Sequence, residues 1–231
     1  MREEDIEKYI YLLNDGGDPE LIFIKQIGEN VEVAKIWLKE PNMSDNIIGN
    51  FYPERFFFIK NKDGKYVGAV LDMFSDLHWF ILKEHRKQGF LIKALSKVIL
   101  PYLFYERDKQ SLSININQIG EENYLNSKAI ALKLGFKSTD KFDSEFELLK
   151  SEFDWQHEEL VETSDRITEE RMNILRKRAF YAFKILQRIS DELMMTYDDD
   201  NELSEIASEV RNYTWKIEDL GFKYGIKRDV K

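Results

Sequence analysis

The stretch from Asp76 to Leu95, DLHWFILKEHRKQGFLIKAL, passes from strand to elbow to helix. Leu77 to Leu82 is a short apolar run of strand length, and it breaks at the charged group Lys83-Glu84-His85-Arg86. The chain then turns at Gly89 into a helical pattern whose apolar positions fall at Phe90, Leu91, Ala94, Leu95 and Val98. A strand, a glycine elbow and a helix start together make an anion site. The first helical N–H groups have no partner within the helix, the macrodipole adds partial positive charge, and Arg86, Lys87 and Lys93 add full charges nearby. Phosphate is the expected guest, although elbows of this kind also occur without a ligand.

The order of elements on either side gives the elbow its context. Residues 2–14 carry Ile6, Tyr9, Ile10 and Leu13 at helical spacing, stopped by Asn14-Asp15-Gly16-Gly17-Asp18-Pro19. Leu21 to Ile27 alternates as a strand. Asn30 to Lys39 places Val33, Ile36 and Trp37 on one face of an expected helix that ends before Pro41. Arg55 to Lys60 and Lys65 to Met73 form a hairpin about Asn61-Lys62-Asp63-Gly64. After residues 76–95 the helix is expected to run to about Tyr105. Ser111 to Asn117 follows as a strand, Glu121 to Leu134 as a helix ending on Gly135, and two short strands lie near residues 136–138 and 145–149. This order predicts an α/β (α+β) chain with a mixed, mostly antiparallel sheet flanked by helices.

Composition narrows the chemistry. At 231 residues, 43% hydrophobic and 13% aromatic, the chain can bury a core as one large domain or one medium domain with an appendage. No apolar run reaches membrane-spanning length, and the acidic opening MREEDIEKY is unlike a signal peptide, so a cytoplasmic protein without a membrane partner is expected. With no Cys, thiolate ligands and cysteine nucleophiles are absent, and the three His at 78, 85 and 157 make no cluster, so no metal is expected. The net charge of −9 argues against general affinity for nucleic acid.

The element order, the elbow Arg86-Lys87-Gln88-Gly89-Phe90-Leu91 and the later segment Asn123 to Phe136, NYLNSKAIALKLGF, together resemble the GNAT acetyltransferase superfamily over about residues 20–150. In that family the elbow reads Arg or Gln, two residues, Gly, one residue, then Gly or Ala, and the later helix ends in Leu-Gly-Phe. Here Leu91 replaces the second small residue, Tyr124 stands at the Asn position of the later helix, and Ala131 stands where many members carry a Tyr that protonates the leaving thiolate.

The resemblance implies an enzyme that transfers an acetyl group from acetyl-CoA directly to a primary amine of a small molecule or protein. Backbone N–H groups around Ile81 and Leu82 would hold the pantetheine arm and polarise the thioester carbonyl. Arg86 and Lys87, with the backbone from Gln88 through Gly89, Phe90, Leu91 and Ile92, would hold the pyrophosphate, and Asn126 and Ser127 would touch the cofactor from the later helix. Those two residues equally suit a helix cap. An amine nucleophile must shed a proton, and the resemblance favours Asp76 as base, with Asp72, His78 and Glu84 close enough in sequence to compete.

After Lys150 the character changes, and residues 151–231 read as an extension to a domain of residues 1–150. Ser164 or Asp165 can cap a helix from about Ile167 to Tyr197 whose seam is Leu175, Ala179, Ala182, Leu186, Ile189 and Leu193. Asp198-Asp199-Asp200-Asn201 breaks it, and a second helix from about Glu202 to Leu220 completes an α-helical hairpin. A homodimer through these helices is one expectation. The alternative to the enzyme is a GNAT-like protein without turnover that works through this hairpin as an interaction surface.

Overall fold

In the computed structural model, residues 3–46, 48, 52–155, 167–198 and 202–224 are described. They form a mixed α+β chain that divides into two compact units, Met1–Ser164 and Asp165–Lys231. No helix among the described residues is long and apolar enough to cross a membrane.

The first unit is built on five antiparallel strands in sequential order, β1 (Ile22–Gly28), β2 (Val31–Ile36), β3 (Glu54–Lys60), β4 (Tyr66–Asp72) and β5 (Leu77–Ile81). The segment expected to be a helix at Asn30 to Lys39 is therefore corrected to strand β2. Val33, Ile36 and Trp37 fit a helical face, but the β-branched residues Val31, Val33 and Ile36 also suit a pleated surface. Hydrogen bonding to β1 on one side and β3 on the other decides between them.

The sheet is apolar on both faces. Phe56, Phe58, Ala69, Leu71, Phe80 and Leu82 meet Ile6, Ile10 and Leu13 of helix α1 (Glu3–Asn14). Phe57, Ile59, Val70 and Ile81 meet the helical run that follows the elbow. That run begins as α2 (Phe90–Ala94), continues through a π turn at Leu95–Ile99, and ends as α3 (Leu100–Phe104). Pro101 has no N–H to offer the Lys97 carbonyl, and the wider turn falls immediately before it.

A smaller sheet follows, with β6 (Lys109–Ser113), β7 (Lys137–Ser138) and β8 (Glu145–Leu149) in the order β6-β8-β7. Helix α4 (Ile116–Lys133) lies between β6 and β7, and Gly120, at φ 77°, kinks its first turn away from the rest. The strand expected to reach Asn117 thus stops at Ser113, and Asn115 caps α4 by accepting the Asn117 N–H. Phe153 packs against Phe104 and Trp155, adding a ring cluster to this unit's core.

Asp72 ties the base of the large sheet together. Its buried carboxylate accepts from Arg55 Nε at 2.7 Å and from Arg107 Nη1 and Nη2 at 3.1 and 3.2 Å. Arg107 also donates to the Phe74 carbonyl, holding the turn between β4 and β5, where Phe74 sits at φ 70°.

The second unit is an antiparallel pair, α5 (Glu169–Tyr197) and α6 (Leu203–Tyr224). Ser164 and Asp165 lie outside the described residues, and Thr168 caps α5 by accepting the Arg171 N–H at 3.1 Å. Helix α6 continues through Gly221 instead of stopping before it. Gly221 is buried and in line with Ala207 and Thr214, a row of small residues that permits close helix approach.

Candidate functional site

Strands β5 and β6 start side by side and then part. Ser111 N–H donates to Ser75 O at 3.2 Å, and Ser113 N–H donates to the Asp76 carboxylate at 2.9 Å. Beyond that point the two strands belong to separate sheets. A wedge-shaped cleft of about 1320 Å³ opens between β5, the elbow, β6 and α4.

The pairing of β5 with β4 determines which backbone groups face the cleft. Leu82 N–H bonds Val67 O at 3.0 Å, and Met73 N–H bonds Asp76 O at 3.0 Å. In an antiparallel ladder alternate residues point their N–H and C=O groups to opposite edges, so Leu77, Trp79 and Ile81 turn theirs away from β4. The Leu77 N–H is taken by Asp76 Oδ1 at 2.8 Å, leaving the N–H groups of Trp79 and Ile81 directed at the cleft. Of the two expected backbone donors, Ile81 is placed there and Leu82 is not. The Leu82 side chain is buried in the α1 face of the core.

The elbow forms the basic end. Arg86 lines the cleft, donates Nε to Ile81 O at 3.0 Å and lays its guanidinium 5.6 Å from the centre of the Phe80 ring. This fixes the base of the side chain and leaves the two terminal nitrogens to reach a ligand. Lys87 and Gly89 both have positive φ, 61° and 82°, which turns the chain sharply into α2. The first N–H groups of α2, at Phe90, Leu91 and Ile92, have no side-chain cap.

Leu91 is buried, its side chain joins the main core, and it also lines the cleft. Gln88 does not line this cleft, and its Nε2 donates to Glu84 O at 2.9 Å. Glu84 is exposed and does not line the cleft.

Asp76 sits where β5 and β6 diverge. Burial pushes its carboxyl above the ordinary range, opposed by the Ser113 and Leu77 N–H donors and aided by nearby Glu145. Oδ1 is occupied by both backbone donors. Asp72 is committed to Arg55 and Arg107 and is removed from the competition for the base, whereas His78 lines the cleft.

Asn126 and Ser127 line the opposite wall. Tyr124 does not, and its hydroxyl donates to Asp143 O at 3.1 Å. Ala131 is fully buried in the core, so no hydroxyl group enters the cleft from that position.

Sequence reasoning passed over Trp79, Ser113 and Glu145. Trp79 donates Nε1–H to Ser127 Oγ at 3.3 Å, and Ser113 donates its hydroxyl to Glu145 at 2.9 Å. A signal for Trp79 was present in its parity with Leu77 and Ile81 along β5. None existed for Glu145, because its pairing with Ser113 joins strands that are distant in sequence. No family model, curated protein or solved structure matches this chain.

Proposed function

We propose that the chain is an acetyl-CoA-dependent N-acetyltransferase with a primary amine as acceptor. The observation that carries this reading is the parting of β5 from β6, with the Trp79 and Ile81 N–H groups aimed into the gap and an uncapped helix start beside Arg86 at one end. An extended amide-bearing chain such as pantetheine can bond a strand edge as another strand would, and a pyrophosphate suits a helix start with an arginine. The sequence of elements from β3 to β8 supports a GNAT-like arrangement of the same parts.

In this reading the amine nitrogen attacks the thioester carbonyl, whose developing oxyanion is stabilised by the backbone N–H groups of β5. Asp76, or water ordered beside it, accepts the ammonium proton. The C–S bond then breaks. With Ala131 in place of a phenol, coenzyme A leaves as the thiolate and takes its proton from water.

The test is calorimetric titration with acetyl-CoA, desulfo-CoA and ATP, repeated on Arg86→Ala. Micromolar binding that depends on Arg86 supports the reading. Absence of binding up to millimolar concentration overturns it and favours an interaction protein acting through its C-terminal helices, a second reading to which the exposed apolar face of that hairpin lends weight.

A further inference from the structure

Ser75 and Asp76 meet Ser111 and Ser113 in the same chain order, so β5 and β6 approach each other as parallel strands. In a parallel ladder each residue that faces its neighbour bonds the residues before and after its opposite number, in a fixed alternation. Ser111 N–H donates to Ser75 O at 3.2 Å. The next links of that ladder would be Leu77 N–H to Ser111 O, then Ser113 N–H to Leu77 O, then Trp79 N–H to Ser113 O.

Side chains take those groups instead. Asp76 Oδ1 accepts the Leu77 N–H at 2.8 Å and the Ser113 N–H at 2.9 Å, and Gln110 Nε2 donates to Ser111 O at 2.7 Å. Gln110 Nε2 also donates to Ser75 O at 3.2 Å, beside the last backbone link. Gln110 is fully buried, and its Oε1 has no hydrogen-bond partner among the described residues. A buried amide with an unmatched acceptor is less stable than an apolar side chain of the same shape, so the use of this residue lies in its donor.

We propose that Asp76 and Gln110 are positioning residues that part the two strands, by occupying the backbone groups that would otherwise zip β5 to β6 beyond Asp76. One side chain comes from each partner, and together they cap the donor and the acceptor of a single link, Leu77 N–H and Ser111 O. Both of those backbone groups already face the opposite strand, so making the link takes a change of partner and no rotation of either chain. With the link blocked, the Trp79 N–H is left facing the cleft. That the gap admits pantetheine rests on the acetyl-CoA reading above, whereas the cause of the gap does not.

Each cap alone is sufficient to block the link. Asp76→Ala frees the Leu77 N–H while Ser111 O stays with Gln110, and Gln110→Met frees Ser111 O while the Leu77 N–H stays with Asp76. Only the double variant frees both sides of the same link.

The test is amide hydrogen exchange of the full chain, followed residue by residue by NMR. In Asp76→Ala/Gln110→Met the Trp79 amide is expected to exchange several-fold more slowly than in wild type, as the ladder extends to it. A general loosening would speed that exchange, so its direction separates positioning from a merely structural role. Asp76→Asn keeps the accepting oxygen and is expected to leave the Trp79 amide as in wild type. In Asp76→Ala alone the Leu77 amide is expected to exchange faster, and this variant carries the test if the double variant does not fold. Calorimetry with acetyl-CoA is expected to show binding to wild type and many-fold weaker binding to the double variant. Trp79 exchange that is unchanged or faster in the folded double variant overturns the proposal, as does an unchanged Leu77 amide in Asp76→Ala. Slower Trp79 exchange in the double variant, with no acetyl-CoA binding to wild type, upholds this cause of the parting and overturns the acetyl-CoA reading alone.

Discussion

The indole N–H of Trp79 and the hydroxyl of Ser127, 48 residues apart in the chain, meet at 3.3 Å and join β5 to α4 across the cleft. The serine oxygen accepts this bond, and its own O–H remains a donor for a ligand. Ser127→Ala leaves a half-buried indole N–H unpaired and is expected to lower stability by about 1 kcal/mol, measured by urea unfolding. If acetyl-CoA enters beside this pair, tryptophan emission changes during titration of the wild type and the change is lost in Trp79→Phe. An identical response in that variant would place the ligand elsewhere.

Arg86 is held at Nε by the Ile81 carbonyl and has its terminal nitrogens available. Under the proposed function, Arg86→Ala is expected to weaken acetyl-CoA binding by about 1.5–3 kcal/mol, or roughly 10- to 150-fold in Kd. The fold should be retained, because one side-chain-to-backbone bond and the contact with Phe80 are lost while the strand pairing of β5 remains. Unchanged affinity removes Arg86 from the site.

Asp76 allows stability and turnover to be separated. Its folded pKa is raised by burial, so its favourable contribution is complete below the unfolded value, about 3.9, and is lost as pH rises through the folded value. Asp76→Asn keeps an oxygen for the Ser113 and Leu77 N–H groups but carries no charge. Its Tm relative to wild type is therefore expected to be near equal in acid and higher at neutral pH. Turnover should respond in the opposite direction, falling more near pH 7 than near pH 9, where more of the amine is already neutral. A uniform loss of activity across that range would deny Asp76 the role of base.

Gly68 lies opposite Ile81, where β4 supports the cleft wall. A Cβ at this position would collide with Ile81 Cδ1 and would lie 2.8 Å from the Phe80 carbonyl oxygen. Because one of those atoms is backbone, β5 itself has to shift. Gly68→Ala is expected to cost about 1–3 kcal/mol in thermal or urea unfolding and to weaken acetyl-CoA binding as the Ile81 N–H moves. A stable variant with unaltered binding would show that β5 can yield without disturbing the cleft.

Local patterns in the sequence determined much of this molecule. The run from Leu77 through the elbow into the helix at Phe90, the hairpin about Asn61–Gly64, and the two C-terminal helices are legible because strand alternation, glycine turns and helical spacing act between near neighbours. Tertiary structure decided the rest. Val31 to Ile36 satisfied two periodicities, and only partners on both edges made it a strand. In the sequence Asp76 was favoured with Glu84 as a competitor, and the parting of β5 from β6 placed Asp76 in the lining of the cleft while Glu84 is exposed. The predicted C-terminal seam was split in the same way: Ala179 and Leu186 turned toward α6, and Ala182, Ile189 and Leu193 turned out. Spacing fixes which residues share a stripe. Which stripe is covered depends on the position of a second element, and that is set by packing between residues far apart in the chain.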